Sequence, residues 1–188
     1  RAVALASRAE LGASRWRCGD CLQVEPPPLH TLSWSAFSPY LGAYIWPTSG
    51  EVKVCGHDVT THRAKALQKV GAIFEAPAFY DYLSGWRNLE ILSHYTAPTS
   101  KERIREVVDW VGLTGREQSP VKTYSHGMRA RLALAQALLP QPELLILDEP
   151  GSGLDPEGIA EMRQTILRLH RELGLTILLS SHLLTEVE

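Results

Sequence analysis

Leu144-Leu145-Ile146-Leu147-Asp148-Glu149-Pro150 constrains this 188-residue chain more than any other stretch. Four consecutive branched aliphatics predict a strand buried on both faces, the habit of a central strand in a parallel sheet. Two carboxylates follow where the strand must end, and Pro150, with no N–H to donate, closes the ladder. Successive strand residues point to opposite faces, so Asp148 and Glu149 address different neighbours at one carboxyl edge. That edge is where open α/β sheets bind ligands. Taken alone, the heptad also describes a buried strand ending in a solvated acidic turn. The surrounding sequence decides between the two.

The length suits one domain with a real core. A formal net charge of -2 gives no broad basic field, so composition makes no case for a nucleic-acid partner. No apolar run reaches membrane-spanning length, and Arg1, Arg8, Glu10, Arg15 and Arg17 break up the opening residues. Three cysteines argue against a disulfide framework. Cys18-Gly-Asp-Cys21 has metal or redox spacing, but with no second Cys/His pair nearby in sequence it reads as coincidence. The expectation is a soluble, cytosolic protein.

Residues 1–46 differ in texture from the rest. They hold three of the five tryptophans, two of the three cysteines and the run Pro26-Pro27-Pro28, with no sustained period apart from a candidate helix within Ala2–Leu11. From Pro47 the punctuation becomes orderly. Glu51 to Cys55 alternates like a strand, Gly56-His-Asp58 turns, Arg63 to Lys69 is a short helix, and Val70 to Phe74 is a second buried strand. Ser84 caps a helix to about Tyr95, and Thr99 with Glu102 forms a capping box for a helix stopped by Gly112. Ser125 caps the next helix, whose apolar positions Met128, Leu132, Ala135 and Leu139 keep helical spacing to Pro140. After the opening strand, Asp155 is an N-cap with Pro156 at the first helical position. That helix ends at Gly174, and Leu175 to Leu179 is a third apolar strand before Ser180-Ser181-His182. Strand, helical block, strand, helix, strand predicts α/β with a parallel sheet.

Three strand ends then converge on one edge, carrying Glu75, Asp148 with Glu149, and His182. Phosphoryl transfer needs a carboxylate for Mg²⁺, a second to orient or deprotonate the attacking water, and donors for the γ-phosphate charge. Asp148, Glu149 and His182 fit those roles in that order. Ser125-His126-Gly127-Met128 adds a serine hydroxyl and free N–H groups at a helix start, a natural anion site, with Gly127 permitting close approach.

From about Pro47 to Glu188 the sequence resembles the nucleotide-binding subunit of ATP-binding-cassette (ABC) transporters, most of all those of bacitracin- and daunorubicin-export type. The matching stretches are Tyr124 to Met128 for the signature, Leu144 to Pro150 for Walker B, Gly153-Leu-Asp155-Pro156 for the D-loop, Ser181-His182 for the switch histidine, and Ile73 to Pro77 for the Q-loop. The resemblance implies a P-loop NTPase-like α/β fold with a helical subdomain over about 77–125. It implies ATP and Mg²⁺ as cofactors, Glu149 as general base, Asp148 on the Mg²⁺ side and His182 on the γ-phosphate. Ser125, Gly127 and Met128 would serve ATP held by an opposite subunit, and Asp155 would work across that interface. Implied partners are a second ATPase subunit, as homo- or heterodimer, and a membrane permease, with the protein peripheral on the inner face of the cell membrane.

Departures from the family pattern are specific. His126 and Met128 replace the usual glycine and glutamine of the signature, and Glu75 replaces the Q-loop glutamine, keeping an oxygen for Mg²⁺ but no amide donor. Gly-x-x-x-x-Gly-Lys-Ser/Thr occurs nowhere. Its place by family spacing, Pro28 to Ala36, has neither glycine nor lysine, and Trp34 stands about where the lysine belongs. The N-terminal part of the core is therefore expected to be incomplete, with residues 1–46 an unrelated or frameshifted segment and the C-terminus truncated within a helix. The alternative is a degenerate accessory subunit that lends its signature to a partner's ATP site. Unless part of residues 1–46 fills the missing strand's slot, neighbouring strands are left unpaired. A DNA-repair relative would need a long coiled-coil insertion that is absent, and a translation-type relative usually carries two cassettes.

Overall fold

The computed structural model describes residues 3–6, 16–18, 21–25, 51–73, 78–96 and 98–180. Glu75, Ser181, His182 and the 28–36 window lie outside the described residues.

Two sheets organise the chain. β7 (Leu144–Asp148) is flanked in parallel by β6 (Val70–Ile73) and β8 (Thr176–Ser180). Leu144, Leu145, Ile146 and Leu147 are all fully buried, as a doubly covered strand requires. Beyond β8 the sheet continues into β1 (Val3–Ala6), also parallel, giving the order β1-β8-β7-β6. The second sheet is antiparallel, in the order β2 (Trp16–Cys18), β3 (Leu22–Glu25), β4 (Glu51–Val54), β5 (His57–Asp58). Buried Val52 and Val54 alternate along β4 with half-buried Glu51 and Lys53, and Val54 stands opposite buried Leu22.

Two expectations need correction here. Val3–Ala6 is a strand rather than part of a helix, because the backbone groups of β8 offer it a parallel ladder. The slot beside β8 is thus filled from within residues 1–46. His57-Asp58 is not merely turn: it pairs with Lys53 and Val54 of β4 before Asp58 accepts the N–H groups of Thr60 and Thr61, each at 2.8 Å.

Helices α1 (Arg63–Leu67), α2 (Gly85–Thr96), α3 (Lys101–Trp110), α4 (His126–Leu138) and α5 (Pro156–Leu173) complete the fold. Ser84 accepts the Arg87 N–H at 3.1 Å, as its position predicts. The cap of α3 is Ser100 rather than Thr99: Ser100 accepts the Arg103 N–H at 3.2 Å. Either hydroxyl could have capped, and the chain turns helical one residue later than the Thr99–Glu102 spacing suggests. Gly174, at φ 60°, ends α5 in the left-handed region that glycine enters without Cβ strain. Leu89, Ile104, Val107, Leu132, Leu145 and Ile166 belong to one core cluster that joins helical block, sheet and α5.

Thr176 is fully buried at the start of β8, and its hydroxyl finds no partner among the described residues. Burying an unpaired hydroxyl costs about 1–3 kcal/mol. Thr176→Val is therefore expected to raise the urea midpoint of unfolding by an equivalent amount; an unchanged or lower midpoint would show that the hydroxyl is satisfied.

Candidate functional site

The β7 strand delivers Asp148 in register with Ser180 of β8. Ser180 is buried, and its hydroxyl donates to Asp148 Oδ1 at 2.5 Å while accepting the Glu149 N–H at 3.0 Å. The Glu149 N–H also reaches the Ser180 carbonyl at 3.2 Å. One serine thus clasps both members of the acidic pair. Glu149 itself sits at φ 47°, left-handed for a residue with a Cβ, at a cost of about 1–2 kcal/mol. Such strain persists where surrounding bonds over-determine it, and it is commonest at functional sites. The next turns follow at once: Ser152 N–H bonds to Glu149 O at 3.0 Å and Leu154 N–H to Gly151 O at 3.1 Å. They lead to Asp155, which caps α5 through the Gly158 N–H at 3.0 Å, with Pro156 at the first helical turn.

Sequence reasoning missed Ser180 as a member of the site. The signal was available, since a small hydroxyl residue ends the strand that should neighbour β7, but only the register shows that it meets Asp148.

The second device is the start of α4. Ser125 caps it by accepting the Met128 N–H at 3.2 Å. Met128 packs its side chain on the core, so what it turns towards the helix start is backbone. An added Cβ on Gly153, itself at φ 75°, would stand 3.3 Å from His126 Nε2. The serine-glycine turn and the Gly151–Asp155 turns are therefore neighbours within one chain. Behind them, buried Tyr124 donates to Arg116 O at 2.8 Å, and burial followed by the Glu117 carboxylate raises its phenol. Arg129 pairs with Asp81 at 2.6 Å, tying the same helix start to the loop ahead of α2. Asn88, fully buried, holds that loop: its side chain accepts the Tyr80 N–H at 2.8 Å and donates to Tyr80 O and Ser84 O.

Asp148, Glu149, Asp155, Ser125, Gly127 and Met128 are thus all placed; Glu75 and His182 lie outside the described residues. Hard carboxylate oxygens held at a sheet edge suit a hydrated Mg²⁺ and an attacking water. The phosphate side does not fit, because no glycine-lysine phosphate loop exists in the sequence.

A parallel sheet with an acidic pair at its carboxyl edge and a helical block on one flank defines a P-loop NTPase-like α/β fold. The chain belongs to the ABC transporter family, whose model matches residues 40–152. It is 50% identical over 141 residues to the ABC transporter ATP-binding protein YhcH of Bacillus subtilis, covering 75% of this chain and 46% of that one. It is 44% identical over 144 residues to the bacitracin transport ATP-binding protein BcrA of Bacillus licheniformis, covering 77% and 47%. The chain therefore spans about half the length of the curated relatives it matches. Among solved structures, cbiO1 of Clostridium perfringens, described as part of the ABC transporter complex cbiONQ, shares the fold. The TM-score is 0.73 at 19% identity, over 93% of this chain and 78% of that one.

Proposed function

We propose that this chain derives from the ATP-binding subunit of an ABC exporter, which couples to a separate permease on the cytoplasmic face of the cell membrane, and that loss of the phosphate loop impairs it here. It would work as one half of a head-to-tail pair. The observation that carries the reading is the Ser180 clasp, which bonds the Asp148 carboxylate and the Glu149 backbone N–H at the sheet edge. Positioned groups of this kind contribute by being in place before the substrate arrives. In the complete form of the site Asp148 and Glu75 would hold Mg²⁺, Glu149 would accept a proton from the attacking water, and His182 would donate towards the γ-phosphate. ATP, when bound, supplies the phosphoanhydride bond whose cleavage drives transport. Export is favoured by the bacitracin-transport relative.

In this reading residues 1–46 differ in origin from the 47–188 unit, the family match covering only their last few residues, while β1 and β3 pair with strands of that unit. Without a phosphate loop the chain does not hold ATP by itself in the family manner. A second reading, a non-catalytic accessory subunit, draws support from Gly127. An added Cβ there meets only Ser125 Oγ, at 4.0 Å, so no described neighbour demands glycine. The open approach leaves room for a partner's phosphate to dock there. Gly127→Ala is accordingly expected to stabilise the fold by about 0.5–1 kcal/mol while weakening the contribution to a partner's turnover. A loss of both together would mean that Gly127 serves folding. Tyr80 and Tyr82, exposed ahead of α2, offer the permease a surface of aromatic rings. Among the described residues no helix is long and apolar enough to cross a membrane, so the membrane contact in this reading is made through that partner.

The test is Mg²⁺-dependent ATP turnover by the chain as given and by its mixture with an intact homologue. No turnover alone is expected. Robust hydrolysis alone, abolished by Glu149→Gln, would overturn the view that the missing loop disables it. Stimulation on mixing selects the accessory reading, and no stimulation removes it.

A further inference from the structure

At the other end of β7 from the acidic pair, three groups from distant parts of the chain meet. Cys21 directly precedes β3 and Cys55 directly follows β4, so the antiparallel register sets them opposite each other; the Cys55 N–H donates to Cys21 O at 2.7 Å. Glu143 directly precedes β7, its N–H bonded to Lys69 O and its carbonyl accepting the Thr176 N–H. The two Sγ atoms and a Glu143 carboxylate oxygen all lie within 4.8 Å of one another. Cys21 is buried, Cys55 half-buried and Glu143 exposed, and both thiols are free. Cys55 adopts φ 48°, a left-handed conformation unfavourable for a residue with a Cβ.

We propose that Cys21, Cys55 and Glu143 form a binding site for a thiophilic divalent cation of the zinc class, with solvent in the fourth position. Tetrahedral zinc bonds sulfur at about 2.3 Å and carboxylate oxygen at about 2.0–2.2 Å, so its ligand atoms stand about 3.5–4 Å apart. The present separation, 4.8 Å or less, exceeds that spacing by only about 1 Å. Two thiolates select such an ion over Mg²⁺ or Ca²⁺, which take oxygen. Burial, then the Cys21 thiol and the Glu143 carboxylate, push the Cys55 thiol up to about 12. A bound cation reverses that electrostatic balance, and both thiol protons pass to solvent on binding. The one described cation on the carboxylate is Lys69, 3.4 Å from Glu143 Oε1 and half-exposed, which a metal would displace. The Cys18-Gly-Asp-Cys21 spacing that reads as coincidence in the sequence thus contributes Cys21 to a set whose other members lie far along the chain. Five residues of strand, about 16 Å, separate Glu143 from the far end of β7, so this site is distinct from the acidic pair.

The experiment uses the reduced chain, dialysed after exposure to zinc, with metal content measured by plasma mass spectrometry and cobalt(II) substitution followed optically. A single zinc per chain, a thiolate-to-cobalt charge-transfer band and a raised melting temperature are expected. Cys21→Ser and Cys55→Ser should each abolish the band. Glu143→Gln, an exposed change that leaves folding intact, should weaken zinc at least about tenfold, since even outer-shell changes cost about 10–100-fold. Three results would overturn the site: no retained zinc, zinc retained equally by both serine variants, or an unaltered affinity in Glu143→Gln. A Cys21–Cys55 disulfide with no zinc uptake after reduction would overturn it as well.

Discussion

Gly71→Ala should cost this protein more stability than a methyl group added at any other described glycine. A Cβ at Gly71 would lie 2.1 Å from the Ala137 carbonyl oxygen and 3.2 Å from Leu145 Cδ1. The first of these sets a Cβ fixed to the β6 backbone against a backbone carbonyl of α4, and neither can rotate away. Ordinary overpacking costs about 1–3 kcal/mol, and this contact exceeds the ordinary case. A loss of more than about 3 kcal/mol is expected, which for a chain of this size lowers the melting temperature by roughly 10 °C. Gly127→Ala makes the control, because the same methyl group there meets open space. Leu145→Ala in the same background should give no rescue, since it clears only the softer of the two contacts. A Gly71→Ala protein melting within about 3 °C of the parent would mean that β6 does not approach α4 so closely.

Restoring a phosphate loop should restore chemistry. A chimera in which an upstream segment bearing a Gly-x-x-x-x-Gly-Lys-Ser/Thr loop is joined to this chain at residue 47 is expected to bind and hydrolyse ATP. Within it, Glu149→Gln should lower turnover by about a hundred- to ten-thousandfold, the range associated with a positioned general base. Nucleotide affinity should stay within a few-fold, because in its proposed role Glu149 acts on water. Ser180→Ala is expected to lower turnover less. It removes the clasp but leaves both carboxylates, and the loss of a hydrogen bond to a charged group costs about 1.5–3 kcal/mol of stability. A chimera that binds ATP and turns it over equally well with the Glu149→Gln substitution would remove Glu149 from the catalytic role. One that folds but does not bind would show that residues 47–188 no longer complete a nucleotide site.

What was legible in the sequence was what local physics dictates. An unbroken aliphatic run announced β7, and hydroxyl or carboxylate caps at Ser84, Ser125 and Asp155, with Gly174 at a helix end, located four helix boundaries. Each signal lies within a few residues of its effect. The strands β1, β2 and β3 did not announce themselves, because segments of three or four residues carry too little period to separate from coil. Their reason for being strands is a partner elsewhere: Val3 has Ile177, and Leu22 has Val54. Ser180 and the Cys21–Cys55–Glu143 cluster escaped for the same cause, since each is defined across strands. Asp148 and Glu149 could be named from sequence; what holds them could not.

The pairing of β1 with β8 also sets a timetable. Val3 leaves the ribosome far ahead of its ladder partner Ile177, with every other described strand made in between. At about 5–20 residues per second, β1 waits roughly ten to thirty seconds with its backbone groups unpaired. Closing so long a loop is slow as well as late. During that interval an exposed strand edge invites pairing with neighbouring chains. Yield in the cell should therefore depend on synthesis rate and chaperone supply more steeply than the finished core would suggest.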